Sequence, residues 1–143
     1  MSSADPTQSS SRGIFAEVVR LQKAGRTCVL AVPLWSRGSV PLRHHSKLLY
    51  RDDGTIQGTI GGGLLEAEVL AAAPQVMSQA APRILEVDLT PADAAESGMV
   101  GGGRCADLLE PIAPDSAPDV FAAAARAGGV VGLEEAADVL GGD

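Results

Sequence analysis

The segment Gly58-Thr59-Ile60-Gly61-Gly62-Gly63-Leu64-Leu65-Glu66 constrains the fold of this chain more than any other stretch. It predicts a strand that ends in three glycines and leads directly into a helix rich in Leu, Ala and Glu. Glycines at such a junction leave the backbone amides uncovered and allow φ > 0. The helix start adds unpaired N–H groups and the positive end of the helix dipole, and both favour an anion. The segment therefore predicts a loop that binds a phosphate-bearing ligand.

A second triplet, Gly101-Gly102-Gly103, lies 40 residues after the first, again beside an apolar segment. The structural alternative for both triplets is that glycine permits close packing of a strand against a helix. Glu66 also has two interpretations, a first-turn carboxylate that favours the helix dipole or an acid/base group. Arg43 and Lys47, in the loop before a predicted hairpin, are placed to supply counter-charge. The residues expected to contact the anion are Gly61, Gly62, Gly63, Glu66, Gly101, Gly102, Gly103, Arg43 and Lys47.

Composition excludes several classes of protein. The 143 residues suit one domain whose core is aliphatic, since 45% are hydrophobic but only 3% are aromatic. Few aromatic rings and a net charge of −7 argue against nucleic-acid binding. Cys28 and Cys105 make neither a disulfide framework nor a four-ligand metal site, so buried thiols are expected. With no apolar run of membrane-spanning length, we expect a cytoplasmic protein without a membrane partner.

Charge is unevenly distributed along the chain. Residues 18–51 contain seven basic residues and no acid, whereas residues 52–143 contain sixteen acids and three arginines. This asymmetry predicts a cationic face beside the glycine loop that steers an anionic ligand or partner. The alternative is that these side chains scatter over solvated surfaces.

Hydrophobic periodicity predicts a single domain over residues 13–143, after a disordered tail at 1–12. Helices are expected at 13–24 (closed by Gly25), 64–73, 76–81, 118–127 and 133–140, with Pro74 kinking or interrupting the second of them. Strands are expected at 26–34, 83–89 and 104–112, with a hairpin at 47–57 that turns at Asp53-Gly54. Residues 35–45 are expected to form a loop, and residues 91–100 a loop or one turn of helix. The order of elements predicts an α/β (α+β) fold, a mixed β-sheet with flanking helices.

The ordered motifs resemble the XdhC/CoxI family. They are Gly38-Ser39-Val40-Pro41, Lys47-Leu48-Leu49, Asp53-Gly54, the segment 58–66, Gly98-Met99-Val100-Gly101-Gly102-Gly103 and Leu109-Glu110-Pro111. The resemblance implies an accessory, chaperone-type protein for maturation of molybdenum hydroxylases such as xanthine dehydrogenase or carbon monoxide dehydrogenase. It implies that molybdenum cofactor (molybdopterin) binds with its phosphate end at the glycine loop. The implied partners are the hydroxylase apoenzyme and a cysteine desulfurase or a longer XdhC-like protein, and no C-terminal Rossmann-type domain is expected.

Two departures from the family pattern fall where chemistry is expected. Leu64 and Gly101 stand at the positions where the family has cysteines, the thiols suited to molybdenum ligation or sulfur transfer. A second hypothesis follows, a degenerate interaction or regulatory subunit that no longer binds the cofactor. An enzyme is a third hypothesis, but the only candidate acid cluster near the glycine loop, Asp52-Asp53, is expected to form the hairpin turn. We therefore expect no catalytic residues and no metal site, and a homodimer because single-domain chains gain core by pairing.

Overall fold

The computed structural model describes residues 11–38, 40, 46–61, 63–90 and 102–126. These residues form three helices and five strands. In chain order the elements are α1 (Ser11–Lys23), β1 (Cys28–Gly38), β2 (Lys47–Arg51), β3 (Ile56–Thr59), α2 (Gly63–Gln79), β4 (Arg83–Leu89), β5 (Gly103–Ile112) and α3 (Pro118–Arg126).

The five strands form one sheet in the order β3-β2-β1-β5-β4. All four pairings are antiparallel, so the α+β class is confirmed but the sheet is not mixed. The reason is topological: α2 carries the chain from one edge strand, β3, to the opposite edge strand, β4. The two strands that run in the same direction on either side of this helix are therefore never neighbours.

α2 packs against one side of the sheet, which we call the α2 face. Its buried side chains recur at helical spacing, so they form one apolar stripe: Leu65, Val69, Ala72, Ala73 and Val76. The same apolar cluster takes alternate residues from four strands, as the pleat requires: Val29, Ala31, Leu48, Leu85, Val87, Leu89, Cys105 and Leu109.

α1 and α3 cover the opposite side, which we call the α1 face. Phe15 of α1 and Phe121 of α3 pack with ring centroids 6.3 Å apart. Their cluster also buries Cys28 and Leu30 near the start of β1, Ile112 at the end of β5 and the neighbouring Leu49 of β2. The two helices thus cover the part of the α1 face near that end of the sheet, and burial of each large side chain contributes about 1.5–3 kcal/mol.

β1 extends to Gly38, beyond the predicted end at 34, and includes residues expected to form a loop. Its last residues pair with the first residues of β5, a contact that local composition does not show. Leu34 has no partner in this ladder because a bulge separates Pro33 from Trp35. Proline lacks an N–H, and a bulge is where a central strand accepts one.

α2 is one continuous helix through Pro74, not two helices interrupted there. Proline at this position removes one intrahelical hydrogen bond and costs about 3 kcal/mol. The buried stripe from Leu65 to Val76 continues on both sides of Pro74 and offsets that cost. Tertiary packing therefore overrides the local helix-breaking signal.

Several other predictions are confirmed. α1 ends in a Schellman motif in which Gly25 has φ = 74° and Arg26 N–H donates to Leu21 O at 2.9 Å. The hairpin turns at Asp53-Gly54, where Asp53 Oδ1 accepts from Thr55 N at 3.0 Å and Gly54 has φ = 84°. Strands at 83–89 and 103–112 and a helix at 118–126 also match. The predictions for the tail up to residue 10, for the loop at 91–100 and for a helix at 133–140 lie outside the described residues.

Candidate functional site

The first glycine loop joins the end of β3 to the start of α2. Gly61 has φ = 130° and Gly63 has φ = 58°, values that side chains other than glycine rarely adopt. A Cβ on Gly61 would lie 3.3 Å from Leu65 Cδ1, the end of a flexible side chain. Backbone conformation, rather than lack of space, therefore requires glycine at this position.

Glu66 folds back over this loop from the first turn of α2. Its Oε2 accepts a hydrogen bond from the Ile60 amide at 3.3 Å and one from the Thr59 hydroxyl. Thr59 Oγ1 in turn accepts a hydrogen bond from the Gly61 amide at 3.1 Å. An anion therefore already occupies part of the loop, and it is the chain's own carboxylate. This geometry matches the helix-dipole interpretation of Glu66.

The second glycine segment begins β5 and is closely packed. A Cβ on Gly103 would lie 2.2 Å from Arg37 O and 2.9 Å from Val40 Cγ2. A Cβ on Gly38, the residue paired with Gly103, would lie 2.8 Å from Gly102 O. Glycine is thus required at Gly38 and Gly103 by the close approach of two strand backbones, a structural role that differs from the strand–helix packing raised above.

Both glycine segments lie at the same end of the sheet, where β1 and β3 end and β5 begins. Val40 contacts Gly103 and also belongs to the apolar cluster that contains Ile60 and Leu65 of the first loop. The structure therefore places Gly61, Gly63, Glu66, Gly102 and Gly103 at one end of the molecule. Arg43, Gly62 and Gly101 lie outside the described residues.

Lys47 does not point toward the start of α2. Its side chain is buried, with Nζ 5.7 Å from the centroid of the Phe15 ring on the α1 face. Burial lowers the pKa of this ammonium. A phosphate held at the start of α2, on the other face, would need a rearrangement of β2 to reach Lys47.

Part of the expected cationic face is neutralised. Glu17 forms ion pairs with Arg20 at 2.6 Å and with Arg51 at 2.8 Å, and Arg26 binds Asp52 at 2.7 Å. The acids that flank residues 18–51 in sequence thus pair with cations inside that range. The Glu17–Arg51 pair fastens the β2–β3 hairpin to α1, and the Arg26–Asp52 pair fastens its turn to the connection after α1. The prediction of a cationic face is therefore wrong at Arg20, Arg26 and Arg51.

Neither cysteine is suited to nucleophilic chemistry. Burial raises the pKa of the Cys28 thiol to about 12 and that of Cys105 to about 11. Leu64, which stands where the resemblance places a cysteine, is half-buried against the α2 cluster. No group of three or more His, Cys, Asp or Glu side chains suited to a metal ion occurs among the described residues.

Asp107 is a buried carboxyl group that the sequence analysis did not single out. It lies on β5 between Cys105 and Leu109, is 4% exposed, and its Oδ2 has no hydrogen-bond partner in the part of the chain that is described. Burial raises its pKa to about 6. Strand alternation was the signal that could have found it, because the buried neighbours two residues away on each side share its face.

Comparison with known proteins identifies the segment that carries the first glycine loop. Residues 21–88 match the model of the XdhC and CoxI family. These residues belong to the XdhC and CoxI family. The family segment runs from the end of α1 through the loop and α2 to β4. The resemblance is thereby confirmed for the motifs from Gly38 to Glu66, whereas those at 98–103 and 109–111 lie outside the matched segment.

Two relatives extend this comparison. The uncharacterized protein YqeB of Escherichia coli (strain K12) is 39% identical over 71 residues, which are 50% of this chain and 13% of YqeB. A crystal structure of a xanthine dehydrogenase (BH1974) from Bacillus halodurans superposes with a TM-score of 0.62 at 23% identity, over 79% of this chain and 34% of the other. The second likeness shows a shared fold. The chain spans only a minor part of the length of either relative. No helix among the described residues is long and apolar enough to cross a membrane.

Proposed function

We propose that this domain is an accessory protein in the maturation of a molybdenum hydroxylase of the xanthine dehydrogenase or carbon monoxide dehydrogenase type. The observation that carries the proposal is the family match over residues 21–88, which contains the strand–glycine loop–helix unit. The partners proposed with it are the hydroxylase apoenzyme and a cysteine desulfurase or longer XdhC-like protein, in the cytoplasm. The domain acts by binding rather than by catalysis.

We further propose that the domain binds molybdenum cofactor with the phosphate end at the first glycine loop. The positive φ values of Gly61 and Gly63 and the N-terminus of α2 fit a phosphate. The residues fit the metal end less well, because Leu64 offers no thiol. When bound, the cofactor supplies the molybdenum centre that the hydroxylase uses.

The carboxylate of Glu66 competes with a phosphate for the loop, because it already accepts a hydrogen bond from the Ile60 amide. Binding therefore requires this side chain to turn away from the amide. Glu66→Gln removes the charge repulsion while keeping an acceptor, so it is expected to tighten cofactor binding about tenfold. A purely structural Glu66 would give unchanged affinity, a result that contradicts this site.

The experiment loads the purified full chain with molybdenum cofactor and measures molybdenum and pterin after gel filtration. Gly61→Ala should lower the retained cofactor at least tenfold, since alanine cannot hold the φ of 130°. Gly54→Ala is the matched control, because Gly54 also has positive φ but lies in the distant β2–β3 turn. Equal retention by both variants would rule out the loop as the site, and no retention by the unmodified chain would rule out cofactor binding.

A second candidate function is an interaction or regulatory subunit that no longer binds the cofactor. Two observations favour it: Leu64 replaces the expected thiol, and Glu66 occupies the loop. In this case the chain co-purifies with the hydroxylase or with a longer family member while retaining no molybdenum. Absence of both cofactor and partner contradicts the two candidate functions together.

A further inference from the structure

Part of the α1 face extends beyond α1 and α3; at its border Val32 still packs against the α1–α3 cluster, and Ala106 within it is buried. Cross-strand pairs arrange its residues in three rows across β4, β5 and β1, with paired residues on the same side of the sheet. We call this surface the outer face; its rows are Ile84, Leu108 and Val32, then Glu86, Ala106 and Trp35, then Asp88, Arg104 and Arg37. Ile84 is 59% exposed, the largest value among the exposed large hydrophobic residues of the described chain.

The charges of the outer face are separated across its width. On β4, Glu86 and Asp88 share one cation, Arg104, at 3.0 Å and 2.6 Å. Two carboxylates against one guanidinium leave one negative charge in excess on this side. On β1, Arg37 lies 5.1 Å over the Trp35 ring, and within the described residues it has no ion pair. The β1 side therefore keeps one positive charge.

We propose that the outer face binds a second copy of this chain through a two-fold axis. An isologous interface must be complementary to itself, and this face carries excess acid on one flank, excess base on the other and an apolar row, Ile84, Leu108 and Val32, at one end. An axis parallel to the strands and centred over β5 lays β4 of one copy across β1 of the other, because these strands flank β5. This rotation keeps each residue at the same height along the strands, so Asp88 of one copy faces Arg37 of the second copy.

The same operation brings Ile84 of one copy to Val32 of the other, on the two sides of the axis. Aligned packing of two sheets at about 10 Å separation accommodates such contacts. Arg104 lies near the axis, where its charge is already neutralised by Glu86 and Asp88. The arrangement thus buries the exposed isoleucine and pairs Arg37 with an acid, twice in each dimer.

The size of the outer face sets the expected strength of association. A patch that is three strands wide and five residues long covers roughly 200–300 Å² of the sheet, given the spacing between strands and the rise per residue. Stable complexes bury about 800 Å² per partner, so this dimer is weak and depends on protein concentration. The chain's single tryptophan, Trp35, lies in the interface and reports dimerisation by its fluorescence.

Sedimentation of the full chain from about 10 μM to 1 mM tests the proposal. We expect reversible dimerisation with a blue shift of the Trp35 emission. Ile84→Asp should weaken the dimer at least tenfold, whereas the matched control Ile56→Asp, a 40% exposed isoleucine on β3, should not. Melting curves establish that both variants are folded.

Charge reversal supplies a second test, which distinguishes a charge contact between the two copies from damage to the fold. Arg37→Glu and Asp88→Arg should each weaken the dimer at least tenfold, and the double reversal should restore it. A monomer at every concentration would overturn the proposal. So would equal weakening by Ile84→Asp and Ile56→Asp, failure of the double reversal to restore association, or binding of only a different protein to this face.

Discussion

At the scale of single residues, two carboxyl groups have pKa values displaced in opposite directions by their surroundings. Hydrogen bonds from Arg20, and then from Arg51, outweigh partial burial and lower the pKa of Glu17 to about 2. Asp107 has no compensating partner among the described residues, so burial raises its pKa to about 6. Glu17 therefore stabilises the fold when ionised, whereas Asp107 destabilises it when ionised.

Glu17→Gln is expected to lower the free energy of unfolding by about 1–2 kcal/mol at pH 7. Because the folded pKa lies below the ordinary value of 4.5, this stabilisation is complete above pH 4.5 and is lost as pH falls through about 2. Urea unfolding at pH 7 and pH 2 measures it, with the exposed Glu68→Gln as the control. An equal deficit at both pH values would contradict the ion-pair explanation.

Asp107→Asn is expected to change how stability depends on pH. The folded pKa lies above the ordinary value of 3.8, so Asp107 lowers stability progressively as pH rises from about 4 to about 6. Relative to the unmodified protein, the variant should gain about 2–3 kcal/mol between pH 4 and pH 7. The exposed Asp115→Asn serves as control in the same unfolding series. A variant that parallels the unmodified protein throughout this range would show that Asp107 does not titrate as described.

Sequence patterns located the glycine loop and its capping carboxylate, because positive φ and helix starts have local signatures. They did not show which face of the sheet Lys47 would occupy or that acids flanking the basic stretch would neutralise Arg20, Arg26 and Arg51. Those outcomes depend on strand phase and on contacts between α1 and the hairpin. Asp107 was missed for the same reason, because its burial depends on which face of the sheet β5 turns toward α2.

At the scale of elements, α2 and β1 show where tertiary contacts override local signals. The apolar stripe of α2 holds the helix together through Pro74, and β5 extends β1 over residues expected to form a loop. By contrast, the hairpin and β4 were predictable, since their turn chemistry and alternation agree with their packing.

Pro74→Ala is expected to stabilise the protein by about 1–3 kcal/mol, because alanine restores an intrahelical hydrogen bond and removes a steric clash. Pro74 is exposed, so the core beneath α2 is unchanged. Urea unfolding measures the gain. Pro82→Ala, in the exposed connection between α2 and β4, is the control and should be neutral or slightly destabilising. A loss of stability in Pro74→Ala would mean that the helix depends on the proline.

At the scale of the whole molecule, the antiparallel sheet brings both glycine segments to one end and extends beyond α1 and α3 to form the outer face. The family segment accounts for the first loop and α2, whereas β5 and α3 lie beyond residue 88. The motif order allowed the family to be predicted, and the order of the helices and strands allowed the α+β class to be predicted. The antiparallel arrangement could not be predicted, because it depends on which sheet edge the chain joins after α2.

The proposed role in hydroxylase maturation is tested most directly by the molybdenum content of the hydroxylase itself. The hydroxylase is purified from cells of the same background with and without this chain, and molybdenum per polypeptide is measured. Our account predicts that removal of the chain leaves the hydroxylase polypeptide at its usual amount but largely without molybdenum, and that re-expression restores the metal. Full molybdenum occupancy in the absence of the chain would contradict it.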